Sequence, residues 1–152
     1  MVVGFFGHAD FVGDAALEKM LFDLLEKEVG ENVAEFFLGE HGGFDRFAYR
    51  CAVKYQKKHP NTKLALVTPC AFAPKRGETK DFTLKQYDLI IDPGLEGVPP
   101  RFLVARRNRW TVQKADLIFF YVARGYGGAF SAYQYAKRLG KKLYNLTESG
   151  IF

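Results

Sequence analysis

Short apolar runs alternate with amphipathic stretches along the whole chain. Val2 to Phe6 is an apolar run reaching Gly7, the pattern of a strand buried on both faces. Ala15 to Val29 places Leu17, Met20, Leu21, Leu24 and Leu25 at helical spacing, with Glu and Lys between them. That predicts an amphipathic helix, capped by Gly13-Asp14 and closed by Gly30. Asn32 to Leu38 predicts a second strand. Phe44 to Lys58 predicts a second helix ended by His59-Pro60, and Lys63 to Val67 a third strand. Leu89 to Ile91 reads as a small extra strand, Arg101 to Lys114 as a helix, and Asp116 to Val122 as the clearest strand. Gly127 to Arg138 predicts a helix ending at Gly140, and Lys142 to Leu146 the last strand. Ala71 to Asp81 and Asp92 to Pro100 read as loops, Phe82 to Tyr87 as a short helix or turn. The alternation predicts an α/β protein: a single-domain, open, mostly parallel sheet with helices on both faces.

Three glycine-bearing turns each follow an apolar run: Phe6-Gly7-His8, Leu38-Gly39-Glu40-His41-Gly42-Gly43, and Gly125-Tyr126-Gly127-Gly128. In an open α/β sheet such turns gather at the carboxyl ends of the strands, where ligands bind. Glycine lets a backbone approach a ligand closely, and the helix behind it offers free N–H groups. The candidate ligand-binding residues are therefore Gly7, His8 and Asp10; Gly39, His41, Gly42, Gly43 and Asp45; and Gly127, Gly128 and Ala129. His8 and His41 can donate to phosphate or ribose, or act near neutral pH. Asp10 and Asp45 can bond ribose hydroxyls, and Asp45 can equally cap the second helix. Neither glycine pair belongs to a Walker lysine motif or a full GxGxxG, which disfavours a nucleoside triphosphatase or an ordinary NAD dehydrogenase. On this reading Gly43→Val and Gly128→Val both block ligand and leave the protein folded.

At 152 residues, the chain can bury a core as one domain, residues 1–152, without metal or disulfide staples. The net charge of +5 fits an anionic ligand. The basic residues are scattered except at Arg106-Arg107-Asn108-Arg109-Trp110. Arg106 and Arg109 share a helix face and, with Asn108, suit a planar or phosphate group; Arg107 points elsewhere, toward a subunit contact. Tyr126, Phe130 and Trp110 would be the stacking platforms of a nucleic-acid module, the reading ranked last because the charge is dispersed. Cys51 and Cys70 show no CxxC pair and no zinc spacing to the three histidines. No metal or cofactor is expected, and the thiols read as reduced in a cytoplasmic protein. The N-terminus lacks a signal-peptide pattern, and no run approaches membrane-spanning length. Phe102, Tyr133 and Phe152 are expected as exposed aromatics suited to a homo-oligomer interface.

The turns also carry a family resemblance. Phe6-Gly7-His8-Ala9-Asp10-Phe11 resembles the "FGHRDF" opening of the YpsA-like proteins of the SLOG superfamily. Gly42-Gly43-Phe44-Asp45, Arg107-Asn108-Arg109-Trp110, Ala115-Asp116-Leu117-Ile118, Tyr121 through Gly127-Gly128-Ala129, and Tyr135 to Lys141 are similar to that family in order. The resemblance spans nearly the whole chain. It implies a Rossmann-like fold, a nucleotide-derived ligand of the ADP-ribose or related type, and often a homo-oligomer. The superfamily includes sensors of nucleotide signals in bacterial defence, the DNA-processing protein A group that handles single strands, and phosphoribohydrolases that cleave nucleotide N-glycosidic bonds. Ala9 departs from the usual Arg. Ala132 stands where the phosphoribohydrolase motif places its glutamate, which weakens a hydrolase reading and leaves Glu40, Asp45 or His41 as substitutes; no catalytic residue is assigned. The expectation is a protein that senses or sequesters a nucleotide-derived small molecule, with a nucleotide N-glycoside hydrolase or transferase as the alternative.

Overall fold

The computed structural model describes residues 1–69 and 86–147. The expected loop 71–81, most of the segment 82–87, Cys70 and Phe152 lie outside the described residues. Among the described residues six strands form one sheet: β1 (Val2–Gly7), β2 (Ala34–Leu38), β3 (Thr62–Val67), β4 (Leu89–Ile91), β5 (Leu117–Tyr121) and β6 (Lys142–Asn145). Their order is β4-β3-β2-β1-β5-β6, and every pairing is parallel. Among the described residues four helices connect and cover them: α1 (Ala15–Glu28), α2 (Gly43–Lys58), α3 (Leu103–Lys114), entered through a 3₁₀ turn at Pro100–Phe102, and α4 (Gly128–Arg138).

The strand order follows from the side chains. Along β1, Val3 and Phe5 join one core with Leu21 and Leu25 of α1 and Phe47, Ala48 and Tyr55 of α2. Phe6 points the other way and joins Val112 of α3 and Ala129, Ala132 and Ala136 of α4. Strand alternation thus feeds two cores, one under each helix layer, which only a central, doubly covered strand can do. Phe5 stacks on Phe119 at 5.8 Å and Phe6 on Phe120 at 5.4 Å, locking β1 to β5 on both faces. Burying each such ring contributes about 1.5–3 kcal/mol.

The chain runs outward from β1 through β2, β3 and β4, then returns across the sheet to place β5 on the other side of β1. The order reverses between β1 and β5, and that reversal opens a crevice at their carboxyl ends. Asp14 caps α1, its Oδ1 accepting from the Leu17 N–H at 2.8 Å, as the Gly13-Asp14 pattern predicts. Tyr133, expected at the surface, is instead 7% exposed and packs edge-on against Phe120; its place on the inner stripe of α4 with Ala129, Ala132 and Ala136 overrides its polar tip. Phe102 is half exposed.

Candidate functional site

At the reversal lies a cleft of about 260 Å³. Its walls come from the ends of β1 (Gly7, His8), β2 (Gly39 to His41), and β3 (Val67 to Pro69), from α3 (Val104, Arg107, Asn108), and from the β5–α4 turn with the start of α4 (Arg124, Gly127 to Ala129). Of the residues expected to bind ligand, the cleft brings together Gly7, His8, Gly39, His41, Asp45, Asn108, Gly127, Gly128 and Ala129. Asp10, Gly42, Gly43, Arg106 and Arg109 are not in its lining.

The two glycine pairs, alike in sequence, differ in what their backbone amides meet. At α2 the Gly43 N–H donates to the Ala9 carbonyl at 2.7 Å and the Phe44 N–H to the His8 carbonyl at 3.3 Å. A Cβ on Gly43 would lie 2.1 Å from the Phe11 carbonyl oxygen, and one on Gly42 would lie 2.4 Å from Ala9 Cα. The β1–α1 loop therefore fills the N-terminus of α2, and these glycines serve the chain's own close approach. At α4, Gly127 caps the helix with φ +96° and no side-chain cap, and the first helical bond found there is Ser131 N–H to Gly127 O. The amides of Gly128, Ala129 and Phe130 precede any intrahelical partner. A Cβ on Gly128 meets only Asn108 Nδ2, at 3.8 Å. This helix N-terminus faces the cleft with its donors and its positive dipole end.

Arg107 corrects the expectation that it reaches a subunit contact. It is 7% exposed, on the buried stripe of α3 with Leu103 and Thr111. Its Nε donates to Val67 O at 2.8 Å and its Nη2 to Leu38 O at 2.9 Å. Nη1 donates to Asn108 Oδ1 at 3.1 Å. The guanidinium thus ties off two strand-end carbonyls and orients the Asn108 amide beside α4. Gly39 leaves room for this, because a Cβ there would sit 2.7 Å from Asp45 Oδ2 and 3.1 Å from Arg107 Nη2. Asp45, in the first turn of α2, accepts the His41 N–H at 2.8 Å, which pins the residue just before the Gly42 cap. Burial pushes its carboxyl above the usual range, opposed by that bond and by Arg107.

His8 is buried, and its Nε2 accepts the Ala123 N–H at 3.0 Å. An amide can only donate, so the imidazole is neutral there with its proton on Nδ1. Burial first, then the Arg124 charge, lower its pKa below 6.5, with Asp10 opposing. His8 therefore binds the end of β1 to the end of β5 across the reversal. Arg124, at the rim of the cleft, rests over the Tyr126 ring and pairs at 2.9 Å with Asp10, which lies outside the lining. Arg106 is exposed, and Arg109 lies over Tyr135 at 5.4 Å in a neighbouring groove.

The His8 contact has a pH signature. A depressed histidine pKa means that the unfolded chain takes up a proton which the fold resists. Stability from this contact is complete above pH 6.5 and is lost as pH falls through 6.5 toward the folded value. Denaturant titrations at pH 7.5 and pH 5 should show a smaller acid loss for His8→Gln than for the wild type. An equal loss in both proteins would remove His8 as its source.

Sequence reasoning missed Arg107, Thr68, Val104 and Arg124 as cleft residues. Thr68 is 2% exposed, lines the cleft, and its hydroxyl has no partner among the described residues. Arg107 carried a visible signal: with Leu103 and Thr111 it completes an i, i+4, i+8 stripe, the inward face of α3. Cys51 is buried, its thiol pushed up to about 12 by desolvation, which makes it inert. Among the described residues no helix is long and apolar enough to cross a membrane.

No family model matches the sequence, and no curated protein matches it. Solved structures do. The structural-genomics target TM1055 superposes with a TM-score of 0.58 at 14% identity, over 93% of this chain and 71% of that one. DNA processing protein A (DprA) from Streptococcus pneumoniae gives 0.60 at 15%, over 93% of this chain and 49% of that one. DNA processing protein A from Helicobacter pylori, described in its single-stranded DNA binding mode, gives 0.61 at 17%, over 95% and 64%. The chain spans about half the length of the first DprA and under two thirds of the second. With its all-parallel sheet reversing at β1, the chain has a Rossmann-like fold similar to those of TM1055 and DprA.

Proposed function

We propose that the protein binds a nucleotide or nucleotide-derived small molecule in the cleft at the β1–β5 reversal, as a sensor or a sequestering protein. The observation that carries this reading is the N-terminus of α4: its first amides have no intrahelical partner and face a cleft whose other walls offer the Asn108 amide and the Thr68 hydroxyl, unpartnered among the described residues. A phosphate there receives several N–H donors and the helix dipole. At about 260 Å³ the cleft falls just below the roughly 300–1,000 Å³ of ligand sites, and so suits no more than one nucleotide-sized group. Ala132, on the buried face of α4, supplies no carboxylate, and binding without cleavage is the primary reading.

The test is a thermal-shift series with mononucleotides, cyclic dinucleotides, ADP-ribose and its cyclic isomers, each ligand recovered for mass spectrometry. A true ligand at a hundredfold its Kd should stabilise the fold by about 2.7 kcal/mol. Intact recovery is the expected result, and recovery of free base would move the assignment to an N-glycoside hydrolase. No shift across the series would overturn the reading.

One observation favours a second reading, single-stranded nucleic acid along the α3–α4 face. Residues 97–147 contain ten Lys and Arg against one Asp, where the whole chain has 22 basic and 17 acidic residues. Neither α3 nor α4 carries an acidic residue. Arg101, Arg109 and Arg138 line a groove of about 500 Å³ that shares Asn108 and Gly128 with the cleft. Arg109 and Arg138 both lie over Tyr135, a surface of alternating cations and rings suited to phosphates and bases. The similarity in fold to DprA supports this reading. Affinity for an oligonucleotide that falls steeply with salt, and an Arg109→Gln/Arg138→Gln variant with a flatter slope, would establish it.

A further inference from the structure

On the other flank of the β5–α4 turn lies a second cleft, of about 540 Å³, lined by Arg124, Phe130, Tyr133, Lys137, Asn145 and Thr147 among others. Six buried side-chain polar atoms among the described residues have no hydrogen-bond partner, and three of them belong to this lining: Arg124 Nε, Tyr133 Oη and Thr147 Oγ1. Tyr133 is 7% and Thr147 6% exposed. A buried donor left unpaired is costly, and native proteins satisfy nearly all of theirs. Three such groups at one cleft make it an incomplete site.

The chemistry of the missing partner follows from the lining. The Arg124 N–H is a donor only, and both hydroxyls can donate. Lys137 Nζ stands 5.1 Å from the Tyr133 ring centroid, adding a second cation, and among the described residues no carboxylate is in the lining. The Asn145 amide is already spent: it accepts the Val122 N–H and donates to Val122 O, each at 3.0 Å. That pair of bonds fixes the wall rather than offering a ligand group. We propose that this cleft binds a small oxyanion, a phosphoryl or carboxylate group, held by Arg124, Lys137 and the hydroxyls of Tyr133 and Thr147.

The site is distinct from the α4 N-terminus and does not depend on it. Arg124 is common to both clefts, with its Nη1 engaged by Asp10.

The test is an amide NMR titration of the full chain with inorganic phosphate, and separately acetate, at constant ionic strength. Saturable shifts are expected at Val122, Tyr133, Lys137 and Thr147. The Tyr133→Phe/Thr147→Val variant should bind about tenfold more weakly, the scale for losing hydrogen bonds to a charged group. Without ligand that variant should melt at the same temperature or higher, because it removes unpaired hydroxyls; a purely structural role predicts a lower one. Lys137→Gln, an exposed substitution, provides a second reading of affinity. Saturation by phosphate or by acetate supports the site and assigns its anion. Shifts confined to Asn108 and Gly127 to Ala129, shifts that never saturate, or variants that bind like the wild type would overturn it. Failure here leaves nucleotide binding in the main cleft untouched, since that is read at different amides.

Discussion

Arg107→Met is expected to lower the unfolding free energy by about 3–5 kcal/mol, the usual cost of breaking a buried charged contact by removing one side. The methionine matches the arginine stem in length, so little volume is lost. What is lost is the partner of two strand-end carbonyls, Leu38 O and Val67 O, which the guanidinium binds at 2.9 and 2.8 Å. Asp45 also loses the cation that opposes the upward pull of burial on its carboxyl. Neither carbonyl can be deleted, so the loss cannot be offset by trimming the other side of the contact. Urea denaturation would measure it. A loss under about 1 kcal/mol would mean that water reaches these carbonyls and that the arginine is not what closes the cleft floor.

The second large effect separates the two glycine pairs. Gly43→Ala should destabilise by about 3 kcal/mol or more, the upper range of overpacking, because its Cβ would sit 2.1 Å from the Phe11 carbonyl oxygen. Backbone, not a flexible side chain, is in the way. Gly128→Val places its Cβ 3.8 Å from the nearest atom and has no unusual backbone angle to adopt. It should melt close to the wild type while filling the space over the α4 amides, so nucleotide binding falls by at least about tenfold, the scale for losing a charge-assisted hydrogen bond. Melting and binding measured on both variants decide the matter. A Gly128→Val protein that binds normally would sink the open-terminus reading, and an unaltered melt for Gly43→Ala would sink the account of α2. The expectation that Gly43→Val blocks ligand in an intact fold does not survive the Phe11 contact.

That contrast also shows where sequence reading stops. The elements were legible because hydrophobic period is a local property: the strand at Leu89 to Ile91 and the cap at Asp14 coincide with the observed elements. The alternation of strand and helix carried the parallel sheet with it. What a glycine amide meets is decided by whichever loop folds back on it, and nothing in Gly42-Gly43 or Gly127-Gly128 encodes that partner. The β1–α1 loop, far upstream in sequence, closes one pair through Ala9 and leaves the other open. Arg107 was misjudged for a related reason. Its charge argued for the surface, whereas the carbonyls at the ends of β2 and β3 converge on it only once the sheet exists. Tyr133 was misjudged because its ring follows the apolar stripe of α4 and takes its hydroxyl inside.

The strongly basic charge of residues 97–147 acts before any contact is made. Lines of potential from Arg101, Arg106, Arg109, Lys114, Lys137 and Arg138 all leave the same side of the sheet, and no carboxylate on α3 or α4 bends them back. An approaching anion is therefore turned toward that side while still several ångströms away, within the roughly 8 Å over which physiological salt lets charge be felt. Such guidance speeds encounter far more than it slows escape. If the proposed cleft takes an anion, added salt should reduce the association rate constant while leaving the dissociation rate nearly level, the helices acting as a funnel above it.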